Sequence, residues 1–232
     1  MNTECFTGKA QAYAQARPGY PDEAIEFIRG LIKPDAVIAD IGAGTGIFTL
    51  LLAQHGYRLY AVEPNADMRE QLHFTLQSFP NATIVDGSAE ATTLPDKSVD
   101  IVICAQALGW FDLNAFRSEC RRIGKSNAIV ISIHNEIPEE NHIPENRLTN
   151  KKAAESYFNN PIAHEYKNPI NYYWDRWFQY NASISDNPQP ADTDYNVYIA
   201  ELRADFEQKS VDGQICLDMV TAVYYERIEI TE

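Results

Sequence analysis

The stretch "AVIADIGAGTGIF", residues 36–48, decides how the rest of this 232-residue chain is interpreted. An apolar run leads to an acid, Asp40, and then to three glycines at alternate positions, Gly42, Gly44 and Gly46. A β-branched run, a glycine-rich turn and a second apolar run predict a strand, a tight turn and a helix. Glycines this close together indicate that the backbone turns sharply or lies against a ligand.

Strand-like and helix-like segments alternate over the first 135 residues. Apolar runs predict five strands, at 36–41, 58–63, 82–86, 99–107 and 128–133. Amphipathic segments predict helices at 21–32, 46–56, 114–124 and between Asn65 and Pro80. The fourth strand is almost wholly apolar, as expected of a strand buried on both faces of a parallel sheet. This order predicts an α/β fold with a doubly wound, mostly parallel, Rossmann-like sheet.

After residue 135 the pattern changes to proline-containing loops, helical pieces and an aromatic cluster, "NYYWDRWFQY" (171–180). A helix follows, and then one or two strands with alternating apolar residues. We interpret the chain as a single domain over 1–232 with four parts. These are an N-terminal helical segment over the ligand (1–35), a ligand-binding βα core (36–135), a partly helical cap inserted after strand five (136–210) and C-terminal edge strands (211–232).

The charge and the cysteines narrow the function classes. The formal net charge of −14 repels nucleic-acid phosphates, so we expect no nucleic-acid partner. The four cysteines form no CxxC pair, and His134, Glu136 and His142 lie in an irregular loop without metal-ligand spacing, so we expect no metal. No apolar run approaches the roughly 18 residues of a membrane span, and the first residues lack the apolar region of a signal peptide. We therefore expect a cytoplasmic protein with no membrane partner.

The spacing of the glycines and the neighbouring acids indicate the ligand. The third glycine, Gly46, comes one residue too early for the dinucleotide fingerprint GxGxxG, and no lysine follows as in a phosphate-binding loop. Asp40 would repel a bound phosphate. Glu63, at the end of the second strand and about 20 residues beyond the loop, can accept hydrogen bonds from both ribose hydroxyls. A ligand with a ribose, a positive charge and no phosphate fits, and S-adenosylmethionine has these features.

Four segments in order resemble a known family. "DIGAGTG", "AVEPNADM" and "DGSAEATTLPDKSVDIVICAQALGWFD" (86–112), followed by "FRSECRRIGKSNAIVIS", are similar to the motifs of class I S-adenosylmethionine-dependent methyltransferases. The opening "FTGKAQAYAQARPGYP" (6–21) resembles a small-molecule subgroup, the trans-aconitate methyltransferase-like enzymes. The resemblance covers residues 6–133 well. Many members have Lys-Pro-Gly-Gly where this chain has "GKSN" (124–127), a departure that affects a turn and not the cofactor site.

The resemblance implies a set of cofactor-binding residues: Tyr13, Arg17, Asp40, Gly42, Gly44, Gly46, Glu63, Pro64, Met68, Ser88, Ala89, Glu90 and Gln106. In this set Glu63 takes the ribose hydroxyls, and Ala89 and Glu90 contact the adenine edge. Arg17 is a partner for the cofactor carboxylate, although it could equally solvate a surface. Met68 also suits the core-facing side of its helix.

Candidate acceptor contacts are aromatic residues and one arginine: Trp110, Phe111, Trp174, Arg176 and Trp177. Each aromatic residue among them could equally be core. Methyl transfer from a sulfonium needs mainly alignment, and a base only where the nucleophile arrives protonated. His134, just past strand five, is the candidate base, and a hydrogen-bonded loop histidine is its other interpretation. The Asn/Asp-Pro-Pro-Tyr motif of amino-methylating enzymes is absent after strand four.

The sequence thus predicts an S-adenosylmethionine-dependent methyltransferase that acts on a small-molecule acceptor by in-line transfer. A protein that binds S-adenosylmethionine without transferase activity, as a sensor or scaffold, is the alternative. A nicotinamide-dependent dehydrogenase on a similar sheet is a third interpretation, which the glycine spacing disfavours.

Overall fold

The computed structural model describes residues 6–137 and 149–228. Its strands are β1 (Val37–Ile41), β2 (Arg58–Val62), β3 (Ala82–Val85), β4 (Val99–Ala105), β5 (Gly124–Glu136), β6 (His164–Tyr173) and β7 (Gln214–Arg227). They form a seven-stranded sheet in the order β3-β2-β1-β4-β5-β7-β6. The first five strands are parallel, and β7 runs antiparallel to both β5 and β6. The predicted doubly wound, mostly parallel sheet is confirmed.

Eight α-helices connect or cover these strands within the described residues: α1 (Ala10–Ala16), α2 (Asp22–Leu31), α3 (Ile47–Gln54), α4 (Ala66–Leu76), α5 (Leu113–Ile123), α6 (Asn150–Tyr157), α7 (Trp174–Ala182) and α8 (Tyr195–Lys209). Asn65 caps α4, because its side chain accepts a hydrogen bond from the Met68 backbone N–H. Among the described helices none is long and apolar enough to cross a membrane.

The core lies on both faces of the sheet, which explains the apolar sequence of β4. Ile101 and Ile103 pack with α2, α3 and α4 on one face. Val102 and Cys104 pack with α5 and α6 on the other. A strand in this position is apolar at its buried residues, since each buried aliphatic side chain contributes about 1.5–3 kcal/mol through burial.

The sheet also takes in a strand that the sequence analysis assigned to the cap at 136–210. Strand β6 pairs along its whole length with β7, which is one continuous strand. Along β6 the inward-facing side contains polar residues such as Asn168, and the outward-facing side is exposed. This strand therefore has no apolar run, which is why the pattern did not reveal it. Pro169 is tolerated because β6 lies at the sheet edge.

The rest of the predicted cap consists of α6, α7 and α8, and the N-terminal helix α1 packs against α7. The aromatic cluster at 171–180 is therefore divided between the end of β6 and helix α7.

Candidate functional site

A cavity lies at the carboxyl ends of the parallel strands, where the strand order reverses between β1 and β4. Ligands of open α/β sheets bind at this place. The space between its walls, including the part open to solvent, is about 920 Å³, enough for a nucleoside-sized ligand. The wall residues are Phe6, Tyr13, Arg17, Gly42, Gly44, Glu63, Pro64, Met68, Ala89, Ala105, Gln106, Ala107, Trp110, Phe111, Asn150 and Ser185. A smaller cavity shares part of this wall, namely Tyr13, Arg17, Gly42, Gly44, Ala105 and Gln106.

The glycine loop connects β1 to α3, and its three glycines have different surroundings. All three have positive φ, at 71° for Gly42, 58° for Gly44 and 87° for Gly46. A Cβ at Gly44 would meet no protein atom within 4 Å, and this glycine faces both cavities. A Cβ at Gly46 would lie 2.6 Å from the Leu72 side chain, and Gly46 is not on either wall. Gly44 thus leaves room for a ligand, whereas Gly46 allows α3 and α4 to pack.

Glu63 follows β2 and holds the loop from the opposite side. One carboxylate oxygen accepts the Gly44 backbone N–H at 2.8 Å, and the other accepts the Asn65 N–H at 2.9 Å. Burial raises the pKa of this carboxyl, and the two N–H donors and the Arg69 charge act against that shift. The acid is therefore fixed on the cavity wall with lone pairs free for ligand hydroxyls.

Asp40 lies beneath the loop and not on the wall. Its side chain is fully buried, and its Oδ2 accepts a hydrogen bond from the Thr49 hydroxyl at 2.5 Å. Its Oδ1 has no hydrogen-bond partner among the described residues. Burial raises the pKa of Asp40 to about 7; the Thr49 bond lowers it and the charge of Glu63 raises it further. Asp40 can therefore affect a ligand only indirectly, by supporting the loop, or by a hydrogen bond to its Oδ1.

The residues predicted to surround an adenine are only partly brought together. Pro64, Met68 and Ala89 lie on the wall, and Met68 is also buried, so its position is compatible with both of its interpretations. Ser88 and Glu90 are off the wall. Ser88 pairs with Ala91 in an isolated bridge, and the Glu90 carboxylate accepts the Asp112 backbone N–H.

Gln106 follows β4 on the wall shared by the two cavities. Its φ of 58° is rare for a residue with a side chain. Its amide oxygen accepts from the Asn135 backbone N–H and from the Asn150 side chain, both at 3.2 Å. Asn150 in turn accepts the Gly109 N–H at 2.9 Å. The ends of β4 and β5 and the start of α6 are thereby joined at the cavity.

The residues predicted to contact an acceptor divide into two groups. Trp110 and Phe111 lie on the wall, where the Phe6 ring meets Trp110 edge-on at 5.2 Å. The other three pack within the cap. Trp174 contacts Phe206 and Arg203, Arg176 lies over Tyr172, and Trp177 contacts Tyr172 and Tyr180.

His134 is buried away from the cavity wall. Its ring stacks on Tyr224, and its Nε2 lies 3.8 Å from a Glu136 oxygen. No cluster of metal-ligating residues occurs in the described part of the chain, and His142 lies outside it.

Five wall residues were not predicted from the sequence: Phe6, Ala105, Ala107, Asn150 and Ser185. Phe6, Ala105 and Ala107 fall within stretches that resemble the family, so position in a motif could have indicated them. Asn150 and Ser185 belong to no motif, and only the tertiary fold brings them to the cavity.

Comparison with known proteins identifies relatives of this chain. Residues 39–132 match the methyltransferase domain family. An uncharacterised methyltransferase-like protein of Schizosaccharomyces pombe is 38% identical over 130 residues, which cover 55% of this chain and 50% of that protein. The chain spans about half the length of the curated relatives it matches.

Solved structures share the fold. A putative type II methyltransferase from Anaeromyxobacter dehalogenans is 22% identical with a TM-score of 0.65, and the match covers 93% of this chain and 99% of that one. The [4+2]-cyclase SpnF is 13% identical with a TM-score of 0.62, over 98% of this chain and 95% of that one. These likenesses confirm the predicted α/β, Rossmann-like fold, which is that of class I methyltransferases.

Proposed function

We propose that this protein is an S-adenosylmethionine-dependent methyltransferase that acts on a small-molecule acceptor by in-line transfer. The observation that carries the proposal is the charge pattern of the cavity. Among its described wall residues only two side chains are charged, Glu63 and Arg17. Glu63 lies beside Pro64, Met68 and Ala89, while Arg17 lies on the wall that the smaller cavity shares. A ligand with a diol at one part and a carboxylate at another matches this pattern.

The same wall does not suit a phosphate. Arg17 is the one cation among its described residues, and the glycine loop has Asp40 beneath it in place of a lysine. These features support an adenosyl ligand without phosphate over a nicotinamide dinucleotide.

A small acceptor is supported by the shape of the site. Phe6 and helix α1 contribute to the wall together with Trp110, Phe111 and Ser185, so protein surrounds the ligand from several sides. Aromatic faces suit an apolar or planar acceptor and also a sulfonium. The net charge of −14 disfavours nucleic acid.

Alignment is the main contribution we assign to the chain. S-adenosylmethionine, when bound, supplies a methyl group on a sulfonium that is a good leaving group. Glu63 and Arg17 hold the two polar parts of the cofactor, Gly44 allows its close approach, and Trp110 and Phe111 exclude water. Such positioning can lower a barrier by roughly 7–11 kcal/mol. Tyr13 also lies on the wall, and we assign it no contact with either polar part of the cofactor.

A protein that binds the cofactor without transferring its methyl group is the second candidate. The cyclase of the same fold favours keeping it, because it shows that the fold is not restricted to proteins named as transferases.

Calorimetry with S-adenosylhomocysteine and with NADH tests the cofactor, and we expect binding of the first and none of the second. Incubation with methyl-labelled S-adenosylmethionine and fractionated small-molecule extracts tests transfer. Label in a small product supports the proposal. Binding without label transfer across broad extracts supports the second candidate, and binding of NADH alone would overturn both.

A further inference from the structure

The cap holds Arg17, the positively charged residue of the cavity wall, in place. Arg17 donates from Nε to the Ser183 hydroxyl at 2.8 Å and from Nη2 to the Ser183 carbonyl at 3.2 Å. Its guanidinium carbon lies 4.9 Å from the centre of the Tyr13 ring and 5.2 Å from that of Tyr180. Two hydrogen bonds to one residue and two ring faces fix both the position and the plane of the guanidinium.

Ser183 itself has little freedom. It is fully buried at the C-terminal end of α7, and its hydroxyl donates to the Tyr180 carbonyl at 2.6 Å. With its proton committed to that carbonyl, the hydroxyl oxygen presents a lone pair to Arg17. The residue therefore acts as an oriented acceptor on a rigid helix end.

A second cation ties the same turn to the N-terminal segment. The Lys9 ammonium is buried and donates to the carbonyls of Ile184, Ser185 and Asn187 at 2.6, 2.8 and 3.3 Å. We call residues 183–187 the cap turn. Because Ser185 is itself a wall residue, Lys9 keeps the cap turn both against α1 and beside the cavity.

Arg17 has N–H donors left over for a ligand. Nη1 has no hydrogen-bond partner among the described residues, and Arg17 lines both cavities beside Gly44 and Gln106. It is the one positively charged side chain on the described walls. An anionic group of a bound molecule would therefore be placed against it.

We propose that Ser183 is a positioning residue, which presents Arg17 to the carboxylate in the amino-acid portion of S-adenosylmethionine. This inference rests on the proposed function. It makes cofactor recognition depend on the cap, 166 residues away in sequence. Ser183 acts only through Arg17, so its loss affects only those ligands that have the carboxylate.

Two ligands that differ in that group separate positioning from folding. S-adenosylhomocysteine has the amino-acid portion, and 5′-methylthioadenosine has the same nucleoside without it. We would measure both dissociation constants by calorimetry for the wild type, Arg17→Lys, Ser183→Ala and a control, Ser118→Ala. The Ser118 hydroxyl also donates to a helical carbonyl, that of Asn114, but it is exposed and off both walls.

We expect Arg17→Lys to weaken S-adenosylhomocysteine binding about 10- to 100-fold, since a lysine cannot hold Ser183 and a carboxylate together. Ser183→Ala should weaken it about 3- to 10-fold. Methylthioadenosine affinity should stay within about twofold in each variant, and the control should bind both ligands like the wild type.

Equal losses for both ligands in Ser183→Ala would assign the hydroxyl to structure and overturn the inference, as would unchanged affinity for S-adenosylhomocysteine. Should Ser183→Ala fail to fold, Arg17→Lys still tests the carboxylate contact on which the inference depends, and equal loss of both ligands there would overturn it. Wild-type protein that binds neither nucleoside would overturn the proposed function itself, whereas normal wild-type binding confines a failure to this inference.

Discussion

Replacing Asp40 with asparagine should remove a pH dependence of stability that comes from burying this carboxyl in the fold. Asp40 is fully buried, and burial raises its pKa from 3.8 to about 7. The folded protein then holds a proton that the unfolded chain has released. The contribution of this carboxyl to stability is therefore greatest below pH 3.8, falls as the pH rises from 3.8 to about 7, and stays constant above that.

The pKa values set the size of the effect. A difference of about three pKa units corresponds to about 4 kcal/mol of unfolding free energy, with a slope of about 1.4 kcal/mol per pH unit between about pH 5 and 6.5. The amide introduced by Asp40→Asn cannot ionise, although it has to replace the partnerless Oδ1, at a cost of about 1–3 kcal/mol at every pH. The ionisation of Asp40 is therefore identified only by the change of unfolding free energy with pH, and not by the constant difference between the two proteins.

Urea unfolding of the wild type and Asp40→Asn at intervals between about pH 5 and 8.5 measures this slope. The difference between the two curves cancels every other titrating group except the coupling of Asp40 to Glu63. We expect the wild type to lose stability relative to the variant up to about pH 7 and then to run parallel to it. Curves that run parallel throughout would refute the reasoning, because Asp40 would then be ionised in the folded state across the whole range.

Three further predictions concern other residues of the fold. Gly46→Ala should destabilise by about 2–4 kcal/mol, because a Cβ there meets Leu72 at positive φ, whereas Gly44→Ala should cost about 1–2 kcal/mol and chiefly weaken S-adenosylhomocysteine binding; urea unfolding and calorimetry compare the pair. Glu63→Gln should weaken that binding about tenfold or more by calorimetry, since an amide cannot accept from both backbone N–H groups and a ribose. Burial raises the pKa of Glu119, but hydrogen bonds from Arg122 and Thr92 outweigh it and lower the pKa to about 2. Glu119 therefore stabilises the fold above pH 4.5 and loses this contribution as the pH falls toward 2. Glu119→Gln should therefore cost about 1–2 kcal/mol at pH 7 and progressively less in acid by urea unfolding, since solvent screens the partly exposed Arg122.

Local patterns were enough to predict the first five strands. The caps and apolar runs that mark α4 and β4 act over a few residues, so the sequence contains the information directly. Strand β6 was missed because its inward face includes polar residues whose burial depends on β7, some fifty residues later. Pairing at that distance leaves no periodic signal in β6 itself.

The site shows the same division. Glycine spacing and Glu63 identified the loop, but spacing could not distinguish Gly44, which faces the cavity, from Gly46, which packs on α4. Both positions require positive φ, so the same residue type satisfies two different demands. Trp174 and Trp177 likewise looked like acceptor contacts, and only the tertiary fold shows that their partners lie within the cap.

The short N-terminal helix explains why the cap turn matters beyond any one ligand contact. Helix α1 has seven residues, fewer than the roughly 12–15 that a helix needs for marginal stability in water, and it buries mainly alanines. Its order must come from tertiary anchors, and the cap turn accepts three hydrogen bonds from Lys9 and two from Arg17. Those bonds involve charged donors and are the stronger kind. The wall on that side of the cavity therefore stays closed only while the cap turn is intact. A substitution in the cap turn should weaken cofactor binding before it destabilises the sheet.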